Sequence, residues 1–274
     1  MPPGSLQLFI APLMLALVVF GANATEAALG FGGTIVAVAL GASLYPLEFL
    51  VPTLVPLNVL VSLYIAVRHR ADIDGHILWR RILPLTLAGL PLGLAAFTMV
   101  HSYWLKAAFG ILVVGFSSVE LVRATGNQAR AQLAATSDMT TETTVAGGKA
   151  AGMAFGPAAF WLVGGGVMQG LYASGGPMVV SYASRELRDK ASFRSTLSAL
   201  WTVLTLVMTV SYTVTGRITR HTLSAGLMLL PVMLAGIVAG ERLHGRVNER
   251  SFRALVFSVL LVAGVSLIVS AIQR

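Results

Sequence analysis

Apolar residues in this chain come in long unbroken runs rather than in alternation or on one helical face. Four runs occupy the first half, at residues 6–44, 47–67, 77–100 and 103–122. Four more follow, at residues 150–184, 192–215, 223–240 and 252–272. A helix rises about 1.5 Å per residue, so about 20 apolar residues cross a bilayer. Six runs have the length of one crossing. The runs 6–44 and 150–184 are too long for one, and glycine interrupts both, at Gly30-Phe31-Gly32-Gly33 and at Ser174-Gly175-Gly176-Pro177. The pattern predicts an all-α polytopic membrane protein of 8 to 10 transmembrane segments.

The halves resemble each other. A shift of 147 positions superposes Leu83-Pro84 on Leu230-Pro231, Leu87-Ala88-Gly89 on Leu234-Ala235-Gly236, and Gly93 on Gly240. A shift of 143 superposes Gly32-Gly33 on Gly175-Gly176 and Glu26 on Gln169. Chance matching among common Leu, Ala and Gly is the alternative, but the matches keep their order, and many secondary transporters are built from such repeats. Three regions are therefore expected. Residues 1–122 form an N-terminal repeat, 123–149 a flexible cytoplasmic linker, and 150–274 a C-terminal repeat. The linker is polar, with Ser137, Asp138 and Gly147-Gly148, and 129–135 is its stretch with helical character. Residues 8–24 resemble a cleavable secretory signal, but no Lys or Arg precedes them and the apolar pattern resumes at once, so the segment is expected to stay.

Charge orients the spans. Arg68, Arg70, Arg80 and Arg81 place the connection after the second run in the cytoplasm, and Arg185, Arg188, Lys190 and Arg194 place that after residue 184 there too. Arg217 and Arg220 then fall outside, a mild violation of the rule. Under this assignment the run 150–184 begins and ends inside, so it crosses an even number of times or returns as a re-entrant hairpin. The repeat implies the same for 6–44 with both ends outside. Equivalent loops then lie on opposite sides, which makes the repeats inverted. Eight simple spans in parallel repeats is the competing arrangement; it puts loops of very unequal charge on one side.

Composition narrows the function classes. Only 11% of residues are charged and 56% are apolar, against about 25% charged in soluble domains. An ordinary soluble enzyme is excluded. The net charge of +8 sits between apolar runs as topology determinants, which argues against nucleic acid. Cysteine is absent, so thiolate metal sites and disulfides are excluded. The five histidines lie at loops without metal-ligand spacing, and no phosphate-binding glycine loop is present, so neither a metal nor another cofactor is expected.

The glycine interruptions are the candidate site. Each opens a new helix, and Pro177 suits a first turn. Helix N-termini carry about half a positive charge and bind anions. Helix-packing glycine clusters are the plainer reading, and for Gly164-Gly165-Gly166 the preferred one. Glu26 is an ionisable residue inside a run: either a proton carrier facing a cavity or an interfacial residue near a helix end. Asn58 with Ser62, and Ser195, Thr196 and Ser198 in the corresponding run, could bond an oxyanion or bond helix to helix. Arg194 is either an anion guide at the cytoplasmic entrance or a plain topology determinant. Trp161 and Trp201 read as packing.

These residues resemble the TauE/SafE sulfite exporter family of membrane anion permeases. The likeness runs through Gly30-Phe31-Gly32-Gly33, Pro56-Leu57-Asn58, Arg68, Asp72-Ile73-Asp74 and Leu83-Pro84 with Gly89 and Gly93. In the second half it runs through Ser174-Gly175-Gly176-Pro177, Phe193-Arg194-Ser195-Thr196 and Tyr212 with Gly216-Arg217. Ala173-Ser174 stands where many members carry a bulkier apolar residue. The resemblance implies proton-coupled transport of sulfite, thiosulfate or sulfonates across the inner membrane, with a homodimer compatible. From the residues alone, the reading is a transporter with two pseudo-equivalent half-helix sites. The substrate-binding candidates are Gly30, Phe31, Gly32, Gly33, Ser174, Gly175, Gly176, Pro177, Asn58 and Thr196. An intramembrane enzyme and a membrane component without flux of its own remain the alternatives.

Overall fold

The computed structural model describes residues 3–29, 32–100, 102–136, 155–187, 189–243 and 249–272. The first half holds α1 (Pro3–Leu29), α2 (Gly33–Gly41), α3 (Leu47–Arg68), α4 (Gly75–Met99) and α5 (Ser102–Thr136). The second holds α6 (Phe155–Tyr172), α7 (Gly176–Glu186), α8 (Lys190–Val214), α9 (Arg220–Leu243) and α10 (Glu249–Ile272). Helices α1, α3, α4, α5, α8, α9 and α10 are long and apolar enough to cross a membrane. The chain is an all-α polytopic membrane protein. Large side chains such as Leu13, Leu92, Ile111, Leu227 and Val262 are exposed, forming the apolar surface that lipid requires.

Local chemistry sets several boundaries. Asp74 and Asp189 cap the starts of α4 and α8, accepting from Ile77 N–H at 3.0 Å and Ser192 N–H at 2.8 Å. A π-helical turn at Leu78–Ile82 in α4 directly precedes Leu83-Pro84, where proline removes a rung of the ladder. Helix α5 continues to Thr136, so the first part of the segment read as linker is helical, 129–135 included. Residues 137–149 lie outside the described residues.

Packing exchanges partners between the halves. Helix α1 packs on α9 and α4 on α6, while α3 packs on α8 and α5 on α10. Glycines show the match residue by residue. In α9, Gly236 meets the Phe20 carbonyl and Gly240 the Ala24 carbonyl of α1. In α4, Gly89 meets the Val163 carbonyl and Gly93 the Val167 carbonyl of α6. Phe20 and Ala24 shifted by 143 are Val163 and Val167, so the two seams are one contact made twice.

Both seams ascend in register, so each pair runs parallel. Helices α5 and α10 run antiparallel: Gly110 meets Gly264 and Ile268, while Phe116 meets Phe257. The equivalent helices α5 and α10 therefore point in opposite directions, as inverted repeats require.

Helices α1 and α2 fold back on each other, and so do α6 and α7. In the second hairpin Gly164 and Gly165 face Met178 and Val179, while Gln169 faces Gly175. The three-glycine stretch is thus a packing surface, with Gly166 pressed against the Thr86 carbonyl of α4. Helix α2 has 9 residues and α7 has 11, so each covers roughly 14–17 Å, about half the hydrocarbon core. Neither is long enough to cross the core on its own.

Candidate functional site

The two breaks bend the backbone differently. Before α2, Gly32 takes the left-handed conformation, φ 91°. Before α7 it is Ala173 that does so, φ 53°, while Gly175 is right-handed. Gly30 and Phe31 lie outside the described residues. At each helix start the first-turn N–H groups have no partner within the helix.

The starts of α2 and α7 face one cavity. Glu26, Gly32, Thr34, Ile35 and Asn58 line it from the first half, and Gln169, Ala173, Ser174, Gly176 and Trp201 from the second. Ile35 stands next to Gly176: a Cβ there would lie 3.6 Å from Ile35 Cδ1. A second cavity lies beyond Glu26, walled by Asn23, Gly33, Ala37, Leu54 and Met233 among others. Each cavity has a volume of about 20 Å³, about one water's room.

The cavity's polar groups are held from several helices. Asn58 Nδ2 donates to Thr34 Oγ1 at 2.8 Å, tying α3 to the first turn of α2. Ser62 Oγ donates to Asn58 Oδ1 at 3.3 Å. Gln169 Oε1 accepts from Gly175 N–H at 2.8 Å, and its Nε2 approaches Met208 Sδ at 3.7 Å. Ser174 is 4% exposed and its Oγ has no partner among the described residues. Glu26 is 7% exposed, and its carboxylate lies against Gly33, the first residue of α2. Asn23 and Thr25 spend their donors on carbonyls of their own helix.

The structure thus brings Glu26, Gly32, Gly33, Ser174, Gly176 and Asn58 to the two cavities. Gly175 and Pro177 stand at the head of α7, Gly175 packed against Gln169 and Pro177 buried. Thr196 is elsewhere: its Oγ1 accepts Asp74 N–H at 2.9 Å, pinning the start of α4 to α8. Arg194 lies in the same stretch of α8, with Nε and Nη2 buried and unpartnered among the described residues. Cavity residues that sequence reasoning did not put forward include Thr34, Ile35, Ala173 and Trp201. The 143 shift that pairs Glu26 with Gln169 also pairs Asn58 with Trp201, whereas Thr196 belongs to the corresponding run and to the Phe193-Arg194-Ser195-Thr196 motif.

Both breaks and Glu26 fall within residues 15–267, which match the family described as Sulfite exporter TauE/SafE. The chain belongs to that family. A relative within reach of this TauE/SafE chain is the probable inner membrane transporter protein TsaS of Comamonas testosteroni, 31% identical over 103 residues. That stretch is 37% of this chain and 43% of TsaS, so the match spans less than half of the relative's length. No solved structure matches the chain.

Proposed function

We propose that this TauE/SafE protein is a secondary transporter of small sulfur-containing anions, such as sulfite, thiosulfate or sulfonates, in the inner membrane. The observation that carries the reading is the cavity that the starts of α2 and α7 share with the buried hydroxyl of Ser174, which has no partner among the described residues. Each start contributes about half a positive charge, so together they offset about one negative charge without Lys or Arg. Asn58, Ser174 and the free N–H groups supply donors to oxyanion oxygens, and Glu26 carries the coupled proton. Room for one water is too little for such an anion, so loading needs the bodies around the cavity to part. Inverted repeats provide the second state: each half adopts in turn the arrangement of the other, opening the cavity to the opposite side. The TauE/SafE membership and the transporter name of TsaS support the same class.

Flux in proteoliposomes tests it, with sulfite, thiosulfate and a sulfonate, with and without a pH gradient. Accumulation of at least one anion, steepened by the gradient and abolished by Gly176→Val, is the expected result. No flux of any of them refutes the proposal.

A further inference from the structure

We propose that Glu26 and the transported anion compete for the start of α2, so that anion binds only when Glu26 is protonated and the two cross together. The inference rests on the transport reading and specifies how its coupling works.

The Glu26 carboxylate lies beside the first residue of α2, in competition with any anion brought to that helix start. One of its oxygens stands against Gly33 closer than any side chain there would permit. It stands at the junction of the two cavities, lining both. The groups facing it are Asn23 from α1, Thr34 from α2, Asn58 from α3, Gln169 from α6, Trp201 from α8 and Met233 from α9. None of them titrates or carries charge, so among the described residues no cation faces Glu26 in these cavities.

The second repeat has a neutral amide at the equivalent position. At the head of α7 the acceptor is the Gln169 amide, bonded to Gly175 N–H at 2.8 Å. One helix start thus has a bonded acceptor from the preceding helix, Gln169, and the other has the Glu26 carboxylate beside its first residue, Gly33, at the position equivalent under the 143 shift. Only the one at α2 is anionic. The Ser174 hydroxyl, 4% exposed and without a partner among the described residues, is a donor in the same cavity that neither acceptor uses.

The charge balance follows. Two helix starts supply about one positive charge in total. An ionised Glu26 cancels it and repels a second anion across a few ångströms of low-dielectric space. A protonated Glu26 leaves it for the ligand. Linkage makes the effect reciprocal: bound anion also raises the affinity of Glu26 for its proton.

The test is anion binding to the purified full chain across pH, with thiosulfate and methanesulfonate as probes because both stay fully ionised over the range used. In the unmodified protein, affinity rises toward about tenfold per pH unit of acidification above the Glu26 titration and levels off below it. Glu26→Gln binds with flat pH dependence at the tight limit. Glu26→Asp keeps the slope, and Glu26→Ala serves as a second neutral variant should Glu26→Gln fail to fold. A flat profile in the unmodified protein overturns the proposal. So does an unchanged slope in the folded neutral variants, or loss of binding in them at acid pH. If no probe binds at any pH and vesicle flux is also absent, the transport reading falls and takes this inference with it. Flux with pH-independent binding sinks the competition alone.

Discussion

Gly33 and Gly176 are equivalent by the repeat, yet replacing each with alanine has unequal consequences. A Cβ on Gly33 would lie 2.6 Å from the Ala22 carbonyl oxygen and 2.6 Å from Glu26 Cβ, besides striking the Glu26 carboxylate. Carbon atoms settle near 3.5 Å, so the head of α2 must retreat from α1 by about 0.9 Å. The carbonyl is backbone within α1 and cannot swing aside. Overpacking of this kind costs about 1–3 kcal/mol, and the backbone entropy gained on removing glycine returns at most about 1 kcal/mol. At Gly176 the nearest atom to a new Cβ is Ile35 Cδ1 at 3.6 Å, an ordinary contact. Gly176→Ala should therefore fall within about 0.5 kcal/mol of the parent. Thermal unfolding in one detergent at one scan rate reads the difference. Gly33→Ala should lower Tm by roughly 3–10 °C while Gly176→Ala leaves it nearly in place. Equal shifts, or a larger loss at Gly176, would refute the reasoning from local space.

Three further outcomes are expected. Gly32→Ala should cost about 1–2 kcal/mol from backbone strain alone, because φ is 91° and no atom lies within 4 Å of the added Cβ; the same thermal assay shows it. Gln169→Ala leaves the Gly175 N–H, bonded at 2.8 Å, without its acceptor, which should cost about 1–3 kcal/mol in the same assay. Asn58→Ala removes the 2.8 Å bond to Thr34, which should cost about 0.5–1.5 kcal/mol of stability; vesicle flux should fall further than Tm does if Asn58 also faces the anion.

Much of the architecture was legible as run length. Six runs of single-span length became α3, α4, α5, α8, α9 and α10, and the two over-long ones split at their glycines into α1 with α2 and α6 with α7. The repeat was legible too, because Gly89 and Gly93 recur as Gly236 and Gly240. Their partners were not: a small residue announces that something comes close, but not whether α6 or another helix supplies it. The conformation of Ala173 was hidden as well, since nothing in an alanine's chemistry asks for positive φ; the surrounding hairpin imposes it. At the cavity, the glycines, Glu26 and Asn58 stood out as polar or permissive positions in apolar runs. Trp201 did not, because an apolar aromatic in a span has packing as its ordinary use, and only alignment of the halves singles it out.

The crossed pairing of α1 with α9 and α4 with α6 bears on how the chain is made. Leu29 ends α1 about 190 residues before Arg220 begins α9. The first hairpin thus enters the membrane long before its partner is synthesised, and it waits with its small-residue seam uncovered. Helix α4 waits likewise for α6. Neither half can close its own interior, so truncation after α5 should leave a fragment with open seams rather than a miniature of the whole. Supplying the two halves as separate chains should restore the seams, since every crossing contact can form between fragments as readily as within one polypeptide.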